Sequence, residues 1–208
     1  MSNMAHDSES TRIRLFSGEL NEMAFKEVEN RLHAGADVSA LIFGREVSDL
    51  AVQLASSGAQ VVVEACPQNH RGLRVVPFTL AKLPDSGALP EAPFDVIVSQ
   101  LVLHPLPYEQ AYQALCKLMS LLKIGGKLYL STYGLHSMIG DQYPDSGKRV
   151  EDRFAELPAG LADLYDLHGP LCLYSERNLF TLLFQVGASI LQSATGALGN
   201  VRAVVVRI

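Results

Sequence analysis

The sequence is short of cysteine, of long apolar runs and of clustered basic residues, and each shortage excludes a class of function. Three cysteines, Cys66, Cys116 and Cys172, are spread over 208 residues. None forms a C-x-x-C pair and their number is odd, so neither a disulfide framework nor a structural zinc site is expected. They read as thiols of a reducing compartment. No apolar stretch approaches the roughly 18–20 residues that span a bilayer. The N-terminal MSNMAHDSESTRIR is polar and lacks the apolar core of a secretory signal. A cytoplasmic protein with no membrane partner is expected. Lys and Arg number 17 against 22 Asp and Glu, a formal charge of −5. No run of basic residues stands out beyond a local basic patch around Lys148, Arg149 and Arg153, and nucleic acid is not an expected partner. Nucleophile elbow, phosphate-binding P-loop and metal-ligand spacing are all missing. Asp141 and Asp145 are too sparse for a metal site, so no metal is expected.

What is present is an ordinary globular composition, 48% hydrophobic and 19% charged, on a length that suits one domain. Residues 1–11 read as a disordered tail and 12–208 as a single domain. A helix is expected over about 16–34, with Ser17 as its cap, Phe25, Val28 and Leu32 on one face, and Gly35 closing it. VSALIFG (38–44) is a buried strand. Val47, Leu50, Ala51 and Leu54 follow at helical spacing up to Gly58, and AQVVVEA (59–65) is the next strand. LRVVPF (73–78) reads as a strand, with Pro77 pointing to an edge position or to the strand's end. FDVIVSQ (94–100) is a strand, 108–123 a helix striped by Ala111, Leu115, Leu118 and Leu122, and KLYLSTY (127–133) a strand.

Residues 134–174 break the rhythm. They are rich in Gly, Pro, Asp and Tyr and read as an insertion with one or two short helices, a lid or substrate-binding segment. Helical spacing resumes at Leu179, Leu182, Leu183 and Val186, with Ser175 as cap. SILQSA and VRAVVVRI, joined by TGALGN, form a hairpin. Alternating strands and helices imply an α/β protein with a mostly parallel sheet and helices on both faces. The closing hairpin adds an antiparallel strand.

Two stretches carry a family resemblance. FDVIVSQLVLHPLP (94–107) is similar to the fourth-strand motif of the class I S-adenosylmethionine-dependent methyltransferases, and LLKIGGKLYLSTYG (121–134) to the turn and fifth strand of that family. The resemblance runs from about residue 36 to the C-terminus. It implies a Rossmann-like seven-stranded sheet with a C-terminal antiparallel hairpin, S-adenosylmethionine as cofactor, and transfer of a methyl group to a small-molecule or carrier-bound acceptor.

Residue by residue, the cofactor motif is degenerate. In IFGREVS (42–48), Gly44 matches the first glycine of the family's loop, while Glu46 and Ser48 stand at the second and third and Ile42 at the usual acidic position. A glycine there permits a tight turn and close approach of the backbone to a ligand. Glu46 brings bulk and a charge that opposes the cofactor's own carboxylate, and Arg45 is placed to offset it. The ribose-binding acid of the family falls nearest Glu64, one residue early, so Glu64 is either the ribose ligand or a strand-end acid. Thr79 stands where an acid would meet the adenine. Ser99 and Gln100 end the fourth strand, and together with Gly44, Arg45, Glu64 and Thr79 they make the expected cofactor set.

His104 is the candidate general base, since an ordinary imidazole titrates near ~6.5. His136, Tyr143, Tyr165 and His168 are candidates to line an acceptor pocket or simply to pack the insertion. The altered loop keeps a second reading open, a catalytically inactive methyltransferase-like subunit that binds or regulates a protein partner. A dinucleotide oxidoreductase lacks its G-x-G-x-x-G here.

Overall fold

The computed structural model describes residues 3–67, 70–196 and 198–208, with side chains from Gly18 onward. Helix α1 (Asn3–His33) leads into β1 (Ser39–Gly44), α2 (Ser48–Ser56), β2 (Gln60–Val63) and β3 (Leu73–Val75). Then come β4 (Phe94–Gln100), α3 (Tyr108–Leu121) and β5 (Leu122–Thr132). The insertion holds β6 (Ala155–Glu156), α4 (Ala159–Tyr165) and β7 (Pro170–Leu171), and the chain closes with α5 (Glu176–Gln185), β8 (Ser189–Thr195) and β9 (Val201–Val206). The first helix is longer than its expected 16–34. Ser17, expected as its cap, lies inside the helix, which also runs through residues 3–11 of the expected tail.

Seven strands form one sheet in the order β3-β2-β1-β4-β5-β9-β8. The first five are parallel, and β9 joins β5 antiparallel and is paired by β8. β3 is an edge strand and stops at Val75, two residues before Pro77, whose ring has no N–H with which to extend a ladder. Alternation along the strands sends side chains to two cores. Leu41, Phe43, Ile97, Leu128 and Leu130 pack with α3 and α5, whereas Ala40, Ile42, Val96, Val98 and Tyr129 pack with α1 and α2. On α1 the buried stripe is Leu20, Ala24 and Val28, one residue per turn.

Local chemistry ends the elements. Gly35, at φ +80°, lets Ala36 N–H reach back to Arg31 C=O and close α1. Ser175 accepts from Asn178 N–H at 3.2 Å, and the Asn178 side chain accepts from Ser175 N–H at 3.1 Å, a reciprocal cap that starts α5. The insertion has its own small core, in which Ile139, Tyr143, Leu157 and Leu167 pack on Leu101 and Tyr133 at the strand ends. No helix among the described residues is long and apolar enough to cross a membrane.

Candidate active site at the strand ends

A parallel sheet brings the C-terminal ends of its strands to one edge, and in open α/β folds ligands bind there. β1 and β4 converge on that edge through Gly44. Its φ is +108°, and a Cβ at this position would stand 2.0 Å from the Gln100 carbonyl oxygen. Only glycine lets the two strand ends approach this closely. Arg45 N–H then donates to the same carbonyl at 3.0 Å, pinning the loop to β4.

The expected site residues divide into three groups. Glu64 lies at this edge, just past the end of β2. β2 stops at Val63, earlier than the alternation implied, so Glu64 is released from the strand's side-to-side rule. Its half-buried carboxylate accepts from the Gly44 backbone N–H; burial pushes its pKa up and that hydrogen bond works against the rise. Ser99 and Gln100 reach the same edge, on opposite faces of β4. Ser99 is fully buried and its Oγ has no hydrogen-bond partner among the described residues. The Gln100 amide nitrogen donates to Asn21 Oδ1 on α1, and its oxygen accepts from Ser131 Oγ at 3.3 Å.

Arg45 is turned elsewhere. Its Nη2 donates to the Asp166 carbonyl at 2.8 Å and lies 3.7 Å from the Asp166 carboxylate, so it draws the insertion over the loop. Thr79 is exposed, in a one-residue bridge with Lys82. A cavity of 390 Å³ opens near it, lined by Leu80, Lys82 and Leu83 on one side and by Gln110, Gln113 and Lys117 of α3 on the other.

His104 is at the edge but is not poised near neutrality. It is 5% exposed, packs edge-on against the Tyr133 ring at 4.7 Å between centroids, and its Nδ1 has no partner among the described residues. Burial, with the Arg45 guanidinium adding to it, pushes its pKa down to about 3. The imidazole is neutral at physiological pH and too weak a base for the general-base role expected of it. Thr132 Oγ1, at the end of β5, is another buried oxygen without a partner.

The insertion residues separate too. Tyr143 is buried in the insertion's core, its hydroxyl donating to the Leu171 carbonyl. His136 and His168 are exposed, and Tyr165 is half-buried against Met138. Asp145 accepts from Phe154 N–H at 3.1 Å and pairs with Lys148 at 2.8 Å, a structural duty within the insertion. Among the described residues no three His, Cys, Asp or Glu side chains converge as a metal site would.

The sequence reading missed Asn21. Besides meeting Gln100, its Nδ2 lies 3.5 Å from the Glu46 carbonyl oxygen. An asparagine on an amphipathic helix carries no local signal for a contact 79 residues away.

The comparisons with known proteins agree with this architecture. Residues 35–130 match the family model of the methyltransferase domain. No curated protein sequence matches the chain. Among solved structures, the chain is similar to the Burkholderia thailandensis 1,6-didemethyltoxoflavin-N1-methyltransferase, which holds its substrate and S-adenosylhomocysteine. The TM-score is 0.58 at 14% identity, over 98% of this chain and 87% of that one. It is similar to the Synechocystis PCC 6803 magnesium protoporphyrin IX methyltransferase with bound S-adenosylhomocysteine, at TM-score 0.53 and 18% identity over 90% and 83% of the two chains. A third likeness is to a chain in the complex between the Haloferax volcanii Trm112 methyltransferase activator and a methyltransferase. It has TM-score 0.63 and 10% identity over 98% and 95%. At these identities the structural likeness is one of fold. Residues 35–130 thus resemble the methyltransferase domain in sequence, and the chain as a whole has the fold of the S-adenosylmethionine-dependent methyltransferases.

Proposed function

We propose that the protein binds S-adenosylmethionine at the strand ends and is a methyltransferase for a small-molecule or carrier-bound acceptor. The observation that carries this reading is Glu64. It stands just past the end of β2, half-buried, its carboxylate against the Gly44 N–H. A carboxylate there can accept hydrogen bonds from both hydroxyls of a ribose. Both relatives named above with a bound S-adenosyl ligand share the fold. The buried oxygens of Ser99 and Thr132 supply further unspent hydrogen-bonding capacity beside it.

The cofactor supplies an activated methyl group, and the chain's part is to bind, orient and exclude water. Gly44 and Glu64 hold the nucleoside end. Ser99 and Gln100 line the strand-end wall, and His104 acts as an uncharged hydrogen-bonding group. The insertion, tied to the loop through Arg45, covers the site as a lid. Acceptors that lose their proton readily suit a site whose one buried imidazole is so weak a base.

Ile42 favours the second reading, an inactive binding or regulatory subunit. It is fully buried where the family places an acid, so that hydrogen-bonding position is lost. The Haloferax volcanii relative is seen with an activator protein, which makes a protein partner a concrete alternative.

Calorimetric titration with S-adenosylhomocysteine decides between them. Micromolar binding, about −8 kcal/mol, that weakens at least tenfold in Glu64→Ala supports the enzyme reading. No binding up to millimolar ligand overturns it and leaves the partner subunit.

A further inference from the structure

Glu46, in the loop that joins β1 to α2, is one of three non-glycine residues with positive φ among the described residues, at +57°. A side chain in this left-handed conformation is strained, and such a residue stays there only where its surroundings hold it. Gly44 absorbs the sharp turn, Arg45 is bonded to β4, and α2 begins after Val47 without a side-chain cap. A contact to the Glu46 backbone comes from α1, where Asn21 Nδ2 lies 3.5 Å from its carbonyl oxygen. Asn21 is itself fixed by the Gln100 amide, and Gln100 carries Arg45 N–H on its carbonyl. Asn21, Gln100, Arg45 and Glu46 thus form a closed bracket from α1, across the end of β4, to the loop.

We propose that Asn21 is a positioning residue of the cofactor site, holding from α1 the left-handed turn that a glycine at position 46 would adopt unaided. The first helix is then a working part of the site. α1 is bound to the sheet independently of this bracket, through Leu20, Ala24 and Val28 and through the Glu19–Arg202 ion pair. Removing the Asn21 amide therefore leaves the helix in place and frees the loop alone. The inference rests on the strand-end edge being the cofactor site, and its test separates the two.

The experiment is a double-mutant cycle on the full chain with Asn21→Ala, Glu46→Gly and both together. It is read by calorimetry with S-adenosylhomocysteine and by amide hydrogen exchange over residues 44–48. Asn21→Ala is expected to speed exchange in the loop and to weaken the ligand about tenfold in the natural background. In Glu46→Gly it is expected to change either by less than about twofold, because glycine needs no bracket. Equal losses in both backgrounds, or unchanged loop exchange in Asn21→Ala, overturn the role of Asn21. Loop exchange that behaves as expected in a protein that never binds the ligand upholds Asn21 and overturns the cofactor reading.

Discussion

The two ends of β4 both bury polar groups, but they treat them differently. At the N-terminal end, the Asp95 carboxylate accepts from Ser39 N–H at 2.9 Å, from Ser39 Oγ at 3.1 Å and from Lys123 at 2.7 Å, with Arg31 at 3.4 Å. At the C-terminal end, Ser99 Oγ and His104 Nδ1 are buried with no partner among the described residues. Native interiors rarely leave such atoms unspent unless a ligand or a water meets them. The end that is satisfied holds the fold together. The end that is not has stability withheld from it, and in this fold it is also the ligand edge.

The largest test strikes the unsatisfied end at its hinge. Gly44→Ala forces φ +108° on an alanine and drives its Cβ into the Gln100 carbonyl. A loss of about 3 kcal/mol or more is expected in urea denaturation, together with loss of S-adenosylhomocysteine binding. Retained stability would mean that β1 and β4 can part at their ends. The comparison would then lose its geometric basis.

Asp95→Ala tests the satisfied end, and about 2–3 kcal/mol is expected at pH 7 because Lys123 and the Ser39 N–H lose their partner together. The pH dependence gives a second reading. Burial alone would raise the Asp95 pKa, but the Lys123 and Ser39 hydrogen bonds outweigh it and hold the carboxyl below its ordinary 3.8. A carboxyl lowered in the folded state stabilises fully above its unfolded value, and that contribution fades as pH falls through the folded value. The gap between the natural protein and Asp95→Ala should therefore hold down to about pH 4 and close below it.

His104 works in the opposite direction and in another window. Its folded pKa is lowered from 6.5 to about 3, so below pH 6.5 the unfolded chain takes up a proton that the folded one refuses. Stability should fall by about 1.4 kcal/mol per pH unit on acidification below 6.5, or about 2 kcal/mol by pH 5. In His104→Gln that slope should vanish while the loss below pH 4 remains. A slope that persists in His104→Gln would mean that the imidazole is not buried as the structure has it. Any methyl-transfer activity should likewise show no His104 inflection near neutral pH.

Much of the fold was legible because its causes are local. The short apolar run of 38–44, the β-branched content of 94–100, helical spacing in 108–123, the Ser175 cap and the TGALGN hairpin each depend on residues close in sequence, and the sheet follows from their order. The site was less legible because its causes are distant. Arg45 reads as a ligand for an anion until Asp166, 121 positions on, takes it. His104 reads as an ordinary imidazole until burial and the approach of Arg45 lower it. Glu64 looked misplaced by one position because β2 ends at Val63, and a strand end is set by pairing with β1 and β3 rather than by its own residues. Asn21 carries no signal at all.

The smallest test is the most direct comparison of the two ends, one serine against another. Ser39 Oγ donates to Asp95 at 3.1 Å and lies 3.3 Å from the Pro93 carbonyl, so Ser39→Ala removes a made hydrogen bond beside a buried charge. About 1 kcal/mol of stability should go with it. Ser99 Oγ makes no such bond, so Ser99→Ala removes only the cost of burying a hydroxyl. The change should be neutral or stabilising by up to ~1 kcal/mol. Opposite signs from the same atom deletion would show that the C-terminal end of β4 keeps its polar groups for something other than folding. Equal losses from both would mean that Ser99 is satisfied within the folded chain, and the edge would lose one of its reasons to be a ligand site. The functional half of the same pair runs the other way: Ser39→Ala should leave S-adenosylhomocysteine affinity unchanged, while Ser99→Ala should weaken it severalfold despite the unimpaired fold.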